Sequence, residues 1–152
     1  MSKHYHIAVL GAGPGGYVAA LKAAQLGASV ALVEKEHLGG TCLNYGCIPS
    51  KAILASAELM HHVQHAAAMG IDVPAGTVVN WAKIQSRKDK VLQTLRTGIK
   101  GLLGARKVSV YAGRGIVAGA GKLVVTPTKG AAEELTADKL ILAVGSVPSR
   151  IP

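Results

Sequence analysis

With 152 residues and 49% hydrophobic side chains, the chain is long enough for one domain with a buried core and too short for two full ones. Phenylalanine is absent and aromatics make up 3%, so the core must come from Ala, Val, Leu and Ile, a composition common in parallel α/β sheets covered by helices. The net charge of +9 invites a nucleic-acid surface. Aromatic residues to interleave with the basic ones are nearly missing, however, and Lys83, Arg87, Lys88, Lys90, Arg96 and Lys100 spread along one predicted helix as a solvated face. The start, Met1 to His6, contains no apolar run long enough for a secretion signal or a membrane span, so a cytoplasmic protein is expected. Its cysteines are then expected to be reduced unless they are catalytic.

The first predicted element is a buried strand from Tyr5 to Leu10. It runs into Gly11-Ala12-Gly13-Pro14-Gly15-Gly16, an Ala-rich helix from Tyr17 to Leu26 ended by Gly27, and a second strand, Ser29 to Val33, closed by Glu34. Strand, glycine turn, helix, strand and terminal acid in that order fit a βαβ dinucleotide fingerprint. Gly11 makes the tight turn, Gly13 lets the backbone approach a pyrophosphate, and Gly16 lets the helix pack close to the strand. Phosphates are expected at the helix N-terminus, where unpaired N–H groups and the dipole favour negative charge and Pro14 gives up no needed hydrogen bond. Glu34 is placed to accept hydrogen bonds from ribose hydroxyls and to repel a phosphate at that ribose. An ordinary αβ turn is the alternative.

Gly39 to Lys51 holds the only two cysteines, Cys42 and Cys47. Two thiols that close can pass two electrons. Five steps of regular helix span about 7.5 Å, more than the roughly 6.8 Å of Cα separation a disulfide usually tolerates. The segment must therefore leave ideal helix for the pair to close, and Gly46 and Pro49 are the residues that permit it. Gly39-Gly40-Thr41 reads as a helix start that favours thiolate over thiol, and Lys51 adds a cation at the far end. Two buried thiols in a core are the alternative. A zinc site would need four ligands, and there is no second cysteine pair.

Ala52 to Met69 reads as a helix stopped by Gly70. His61 and His65 share a face of it and are read as solvent-facing rather than metal-binding. After a loop, Ile71 to Thr77, Asn80 caps a long amphipathic helix from Trp81 to about Leu103, whose end Gly98, Gly101 and Gly104 are expected to fray. No strand feeds these glycines, so they do not form a second nucleotide fingerprint. Val108 to Ala112, Arg114 to Ala118 and Lys122 to Thr126 are short β-rich runs separated by Gly113 and by Gly119-Ala120-Gly121, and predict a small antiparallel meander. Lys139 to Val144 is a final apolar strand ending in Gly145-Ser146.

The string Gly-Gly-Thr-Cys-Leu-Asn-Tyr-Gly-Cys-Ile-Pro-Ser-Lys, Gly39 to Lys51, resembles the redox signature of the class I flavin-dependent pyridine nucleotide disulfide oxidoreductases. Within that family it is most similar to the dihydrolipoamide dehydrogenase branch. Glutathione and mercuric reductases usually carry Val where this chain has Leu43 and Ile48, and are the alternative. The resemblance runs from Gly11 to Ser146 and corresponds to the opening third of a family member. It implies an FAD-binding domain over residues 1–152, with a Rossmann-like parallel sheet, covering helices and the small antiparallel meander.

The same resemblance implies that Cys42 is the interchange thiol, that Cys47 faces the flavin ring and that Lys51 lies near the flavin N5. It implies FAD contacts at Gly11, Gly13, Pro14, Gly15, Gly16, Glu34, Lys35, Gly40, Thr41, Cys42, Cys47, Lys51, Gly115, Val144, Gly145 and Ser146. Val144 stands where the family usually has Thr, which leaves backbone contacts there. The family reaction takes two electrons from dihydrolipoamide, carried by a 2-oxoacid dehydrogenase or glycine cleavage complex, through the cysteine pair to FAD and then NAD, in a homodimer. A second fingerprint for NAD, a His-Glu acid/base pair and the Asp that meets the flavin ribitol are not found in these residues. The 152-residue chain taken alone is therefore expected to be catalytically incomplete. A dinucleotide-binding module without redox exchange is the competing reading.

Overall fold

The structure is a computed structural model that describes residues 3–128, 130–149 and 151. Met1 and Ser2 of the opening stretch, and Arg150 and Pro152 of the closing one, lie outside the described residues. Strand β1 is Lys3–Leu10, helix α1 is Pro14–Gln25 and strand β2 is Val30–Glu34. β1 and β2 run parallel, with Ile7 opposite Val30 and Leu10 opposite Val33. β2 is buried on both faces. Val30 and Leu32 pack toward the helices while Ala31 and Val33 pack the other way, the period-two signature of an inner strand.

Two short-range breaks shape the middle of the chain. Helix α2, Gly40–Asn44, and helix α3, Cys47–His65, are separated by Tyr45 and Gly46, and α3 continues as a 3-10 turn, Ala66–Met69, that Gly70 ends in the left-handed region. Helix α4, Trp81–Ala105, starts where the Asn80 side chain accepts the Lys83 N–H at 3.0 Å, as its capping position predicts. Gly98, Gly101 and Gly104 stay inside α4 rather than fraying it. Buried Leu92, Ile99 and Leu103 hold that stretch against the core.

The last third corrects the expected architecture. β3 is Ser109–Gly119, β4 is Lys122–Pro127 and β5 is Glu133–Leu142. In place of an open, Rossmann-like parallel sheet, the five strands close into a mixed barrel in the order β1-β2-β3-β4-β5, with β5 returning to β1. β1–β2, β2–β3 and β1–β5 are parallel; β3–β4 and β4–β5 are antiparallel.

The reason is that two strands each serve two partners. β3 pairs with β2 through Ser109 to Ala112 and then with β4 from Gly113 onward. β5 pairs with β4 through Glu133 to Thr136 and with β1 from Leu135 to Leu142. The antiparallel meander is thus the wall that closes the ring and not an appendage to it. Gly113 marks the change of partner, where a Cβ would stand 2.5 Å from the Thr126 carbonyl oxygen and 2.8 Å from the Pro127 Cα. The two runs expected on either side of it are one continuous strand.

Two cores follow from the closed wall. Tyr5, Ala8, Ala31, Val33, Leu123, Val125, Leu135 and Ala137 form one cluster, and Val9, Leu32 and Val30 pack with Ala20 of α1 and Leu92, Ile99 and Leu103 of α4 in the other. The Tyr5 and Tyr111 hydroxyls meet at 2.6 Å, and burial, followed by that hydrogen bond, pushes the Tyr111 phenol well above its ordinary range. β1, β2 and the C-terminal half of β5 all end at the same rim, at Leu10, Glu34 and Leu142, and the site lies there.

Candidate functional site

A cleft of about 380 Å³ opens beyond the C-terminal ends of these parallel strands, the position at which open-ended parallel strands usually present their ligands. Its floor is the glycine turn. Gly11, at φ +97°, donates its N–H to the Val33 carbonyl at 2.8 Å, and a side chain on it would run into the carbonyl of Ala143. Gly16 likewise has no room for a Cβ, which would overlap the Gly11 carbonyl, so the start of α1 lies directly against the turn. Among the described residues the N–H groups of Gly13 and Gly15 have no hydrogen-bond acceptor, which leaves two donors at the N-terminus of a 12-residue helix.

The carboxylate of Glu34 braces the turn from the β2 side. One of its oxygens accepts the Ala12 N–H at 2.7 Å and the other accepts the Glu36 N–H at 2.8 Å. From the opposite side Gly39 donates to the Ala12 carbonyl at 2.8 Å. Gly40 then passes so close to Gly13 that a Cβ on Gly40 would come within 2.6 Å of the Gly13 Cα.

That approach joins the glycine turn to the cysteine segment. Cys42 lies in α2 and Cys47 opens α3; they form a disulfide with their Cα atoms 4.7 Å apart. As the spacing requires, the backbone leaves helix between them, at Tyr45 and at Gly46 with φ −125° and ψ −101°. Pro49 is not part of that departure: it sits in the first turn of α3, where no N–H is needed. Cys42 is half-buried and Cys47 exposed. Lys51 is exposed one turn further along α3.

Of the residues expected at a cofactor, Gly11, Gly13, Glu34, Lys35, Gly40, Thr41, Gly115, Val144, Gly145 and Ser146 all line the cleft. Pro14, Gly15, Gly16, Cys42, Cys47 and Lys51 do not line it, although Cys42 directly follows Thr41 and the disulfide adjoins its α2 wall. Gly115 is required by packing, since a Cβ there would press on Leu10 and Val33. Glu36, His37, Asn44, Tyr45 and Arg114 line the cleft without having been singled out. Only Arg114, a cation held between two glycines, carries a local sequence signal for it.

On α3 the His61 and His65 rings lie 4.2 Å apart, with His65 Nδ1 2.8 Å from the His61 carbonyl oxygen. Among the described residues no group of three or more His, Cys, Asp or Glu side chains could hold a metal ion, and no helix is long and apolar enough to cross a membrane.

The family model described as pyridine nucleotide-disulphide oxidoreductase matches residues 5–152. The chain is 47% identical over 146 residues to a dihydrolipoyl dehydrogenase of Acholeplasma laidlawii, an alignment covering 96% of this chain and 42% of that one. It is 44% identical over 152 residues to one from Zymomonas mobilis and 43% identical over 152 residues to one from Chlamydia trachomatis, in each case along 100% of this chain and 32% of the relative. The chain therefore spans 32% to 42% of the length of these relatives.

Proposed function

The chain belongs to the pyridine nucleotide-disulphide oxidoreductase family, and from that premise we propose that it is the FAD-binding portion of a dihydrolipoamide dehydrogenase-type enzyme whose Cys42–Cys47 disulfide accepts two electrons from a dithiol. The observation that carries this reading is the contact of Gly40 with Gly13, which sets the dinucleotide turn and the disulfide-bearing helix around one cleft.

The residues present fit an adenine dinucleotide. The glycine floor has no side chains to displace, Gly13 offers its N–H to a phosphate oxygen, and the Glu34 carboxylate, fixed by two backbone donors, keeps lone pairs for ribose hydroxyls. Backbone at Gly115 and at Val144, Gly145 and Ser146 forms the facing wall. FAD bound here supplies the acceptor for the electrons that the cysteine pair takes up, with NAD as the final acceptor.

The cysteine pair itself performs thiol–disulfide exchange. One thiolate of the dithiol attacks Cys42; the Cys42–Cys47 bond breaks and Cys47 leaves as thiolate. The second substrate thiolate attacks the mixed disulfide, releasing the oxidised substrate and Cys42 as thiolate. Two electrons have then moved to the protein, and the two thiol protons have gone to solvent or a base. Lys51 supplies positive charge on the far side of the pair. The dithiol we assign is dihydrolipoamide borne by a 2-oxoacid dehydrogenase or glycine cleavage complex, the working enzyme is a homodimer, and a reducing cytoplasm suits a disulfide that must cycle.

Desalting the purified chain after incubation with FAD tests the assignment. One flavin retained per chain, lost in Gly13→Val, is the expected result; a colourless chain would refute it.

A further inference from the structure

The buried stripe of α4 is interrupted by a charge. Leu92, Ile99 and Leu103 are its buried residues, and the helical repeat that links them places Arg96, four residues after Leu92 and three before Ile99, on the same side. Apolar side chains are expected there, and a sequence that breaks its own pattern usually does so at a functional position.

The Arg96 Nε donates to Oδ1 of Asn44 at 2.5 Å. Asn44 is the one buried polar side chain among the described residues. Its amide nitrogen donates to the Leu38 carbonyl at 3.1 Å and to the Gly40 carbonyl at 2.7 Å. Both amide protons and the amide oxygen are therefore engaged. These bonds hold the Leu38-Gly39-Gly40 turn, which abuts Gly13, to the five-residue helix that carries Cys42. Among the described residues, no carboxylate is within ion-pair distance of Arg96, so its charge is not neutralised.

We propose that Arg96 is a positioning residue for the disulfide: through Asn44 it fixes the helix carrying Cys42 and brings a cation to that helix, which favours the reduced pair over the oxidised one. The inference rests on the redox role assigned above. Reduction creates thiolate character at the cysteines, and Arg96 reaches their helix at Asn44, two residues after Cys42, where positive charge stabilises a thiolate.

The test is the exchange equilibrium of the purified 152-residue chain with glutathione. Two glutathione thiols reduce the Cys42–Cys47 bond and leave as glutathione disulfide, and the thiols are quantified by alkylation. Arg96→Met should shift the equilibrium toward the protein disulfide by about three- to tenfold, and Arg96→Lys, which keeps the charge, should recover most of the shift. An unchanged constant in Arg96→Met overturns the proposal, and so does an Arg96→Lys protein that behaves like Arg96→Met. Should the Met variant fail to fold, Lys is compared with Gln at the same position, with the same two outcomes decisive. A wild-type disulfide that neither glutathione nor the dithiol dihydrolipoamide reduces would refute the redox function itself, a separate result.

Discussion

Gly40 sits against Gly13 with no room for a methyl group between them: a Cβ on Gly40 would lie 2.6 Å from the Gly13 Cα and 3.2 Å from its nitrogen. The glycine turn and the cysteine segment therefore touch through backbone alone. Gly40 also sits at φ +56°, where an L side chain is strained. Gly40→Ala is expected to lower stability by about 1–3 kcal/mol in urea unfolding and to weaken FAD retention at the same time. An Ala variant as stable as the parent and equally able to retain flavin would show that the two segments do not depend on each other.

Glu34 braces the turn before it meets any ligand. Glu34→Gln keeps the shape but replaces a carboxylate that accepts from both Ala12 and Glu36 with a group having one good acceptor oxygen. Hydrogen bonds to a charged acceptor contribute about 1.5–3 kcal/mol each, and every 1.4 kcal/mol is about tenfold in affinity. FAD affinity, followed by quenching of flavin fluorescence, should fall by at least about tenfold.

Tyr111 is expected to make the fold sensitive to alkali. Burial, then the Tyr5 hydroxyl, raises its folded pKa above the ordinary tyrosine value, so the unfolded state loses its proton first. The stabilisation is fully present below about pH 10 and is lost as pH rises from there toward the folded pKa. Tyr111→Phe should flatten the decline of stability on the alkaline side, and tyrosinate absorbance should show one fewer late-titrating phenol.

A closed barrel gives its interior little freedom to collapse around a void. Leu123 of β4 is 1% exposed and packs with Leu135 and Val125 inside the ring. Leu123→Ala should cost about 2–5 kcal/mol, measured as a shift of the urea midpoint without a change of slope. A cost below about 1 kcal/mol would argue against a packed barrel interior.

What could be read from the sequence was what local patterning determines. The β1–α1–β2 unit, the Asn80 cap and the break at Gly46 each follow from residues within a few positions of one another. The barrel could not be read this way, because it depends on β3 and β5 each taking a second partner far away in the chain. Nor did the part of β5 before Lys139 signal itself: Glu133, Glu134 and Asp138 are poor strand formers, and only Leu135 and Ala137 are buried. Around the cleft, Gly11, Gly16 and Gly40 were legible because a Cβ there has no room. Asn44 was not, since its role appears only once α4 brings Arg96 from 52 positions away.

The central claim is that one cleft holds a flavin nucleotide where it senses the Cys42–Cys47 pair. The most direct measurement is the absorbance spectrum of the FAD-loaded chain before and after dithiothreitol opens the disulfide, with Cys47→Ser treated in parallel. The spectrum should change in the parent and stay still in the variant. A flavin spectrum indifferent to the state of the disulfide, or one that responds equally without Cys47, would contradict the account.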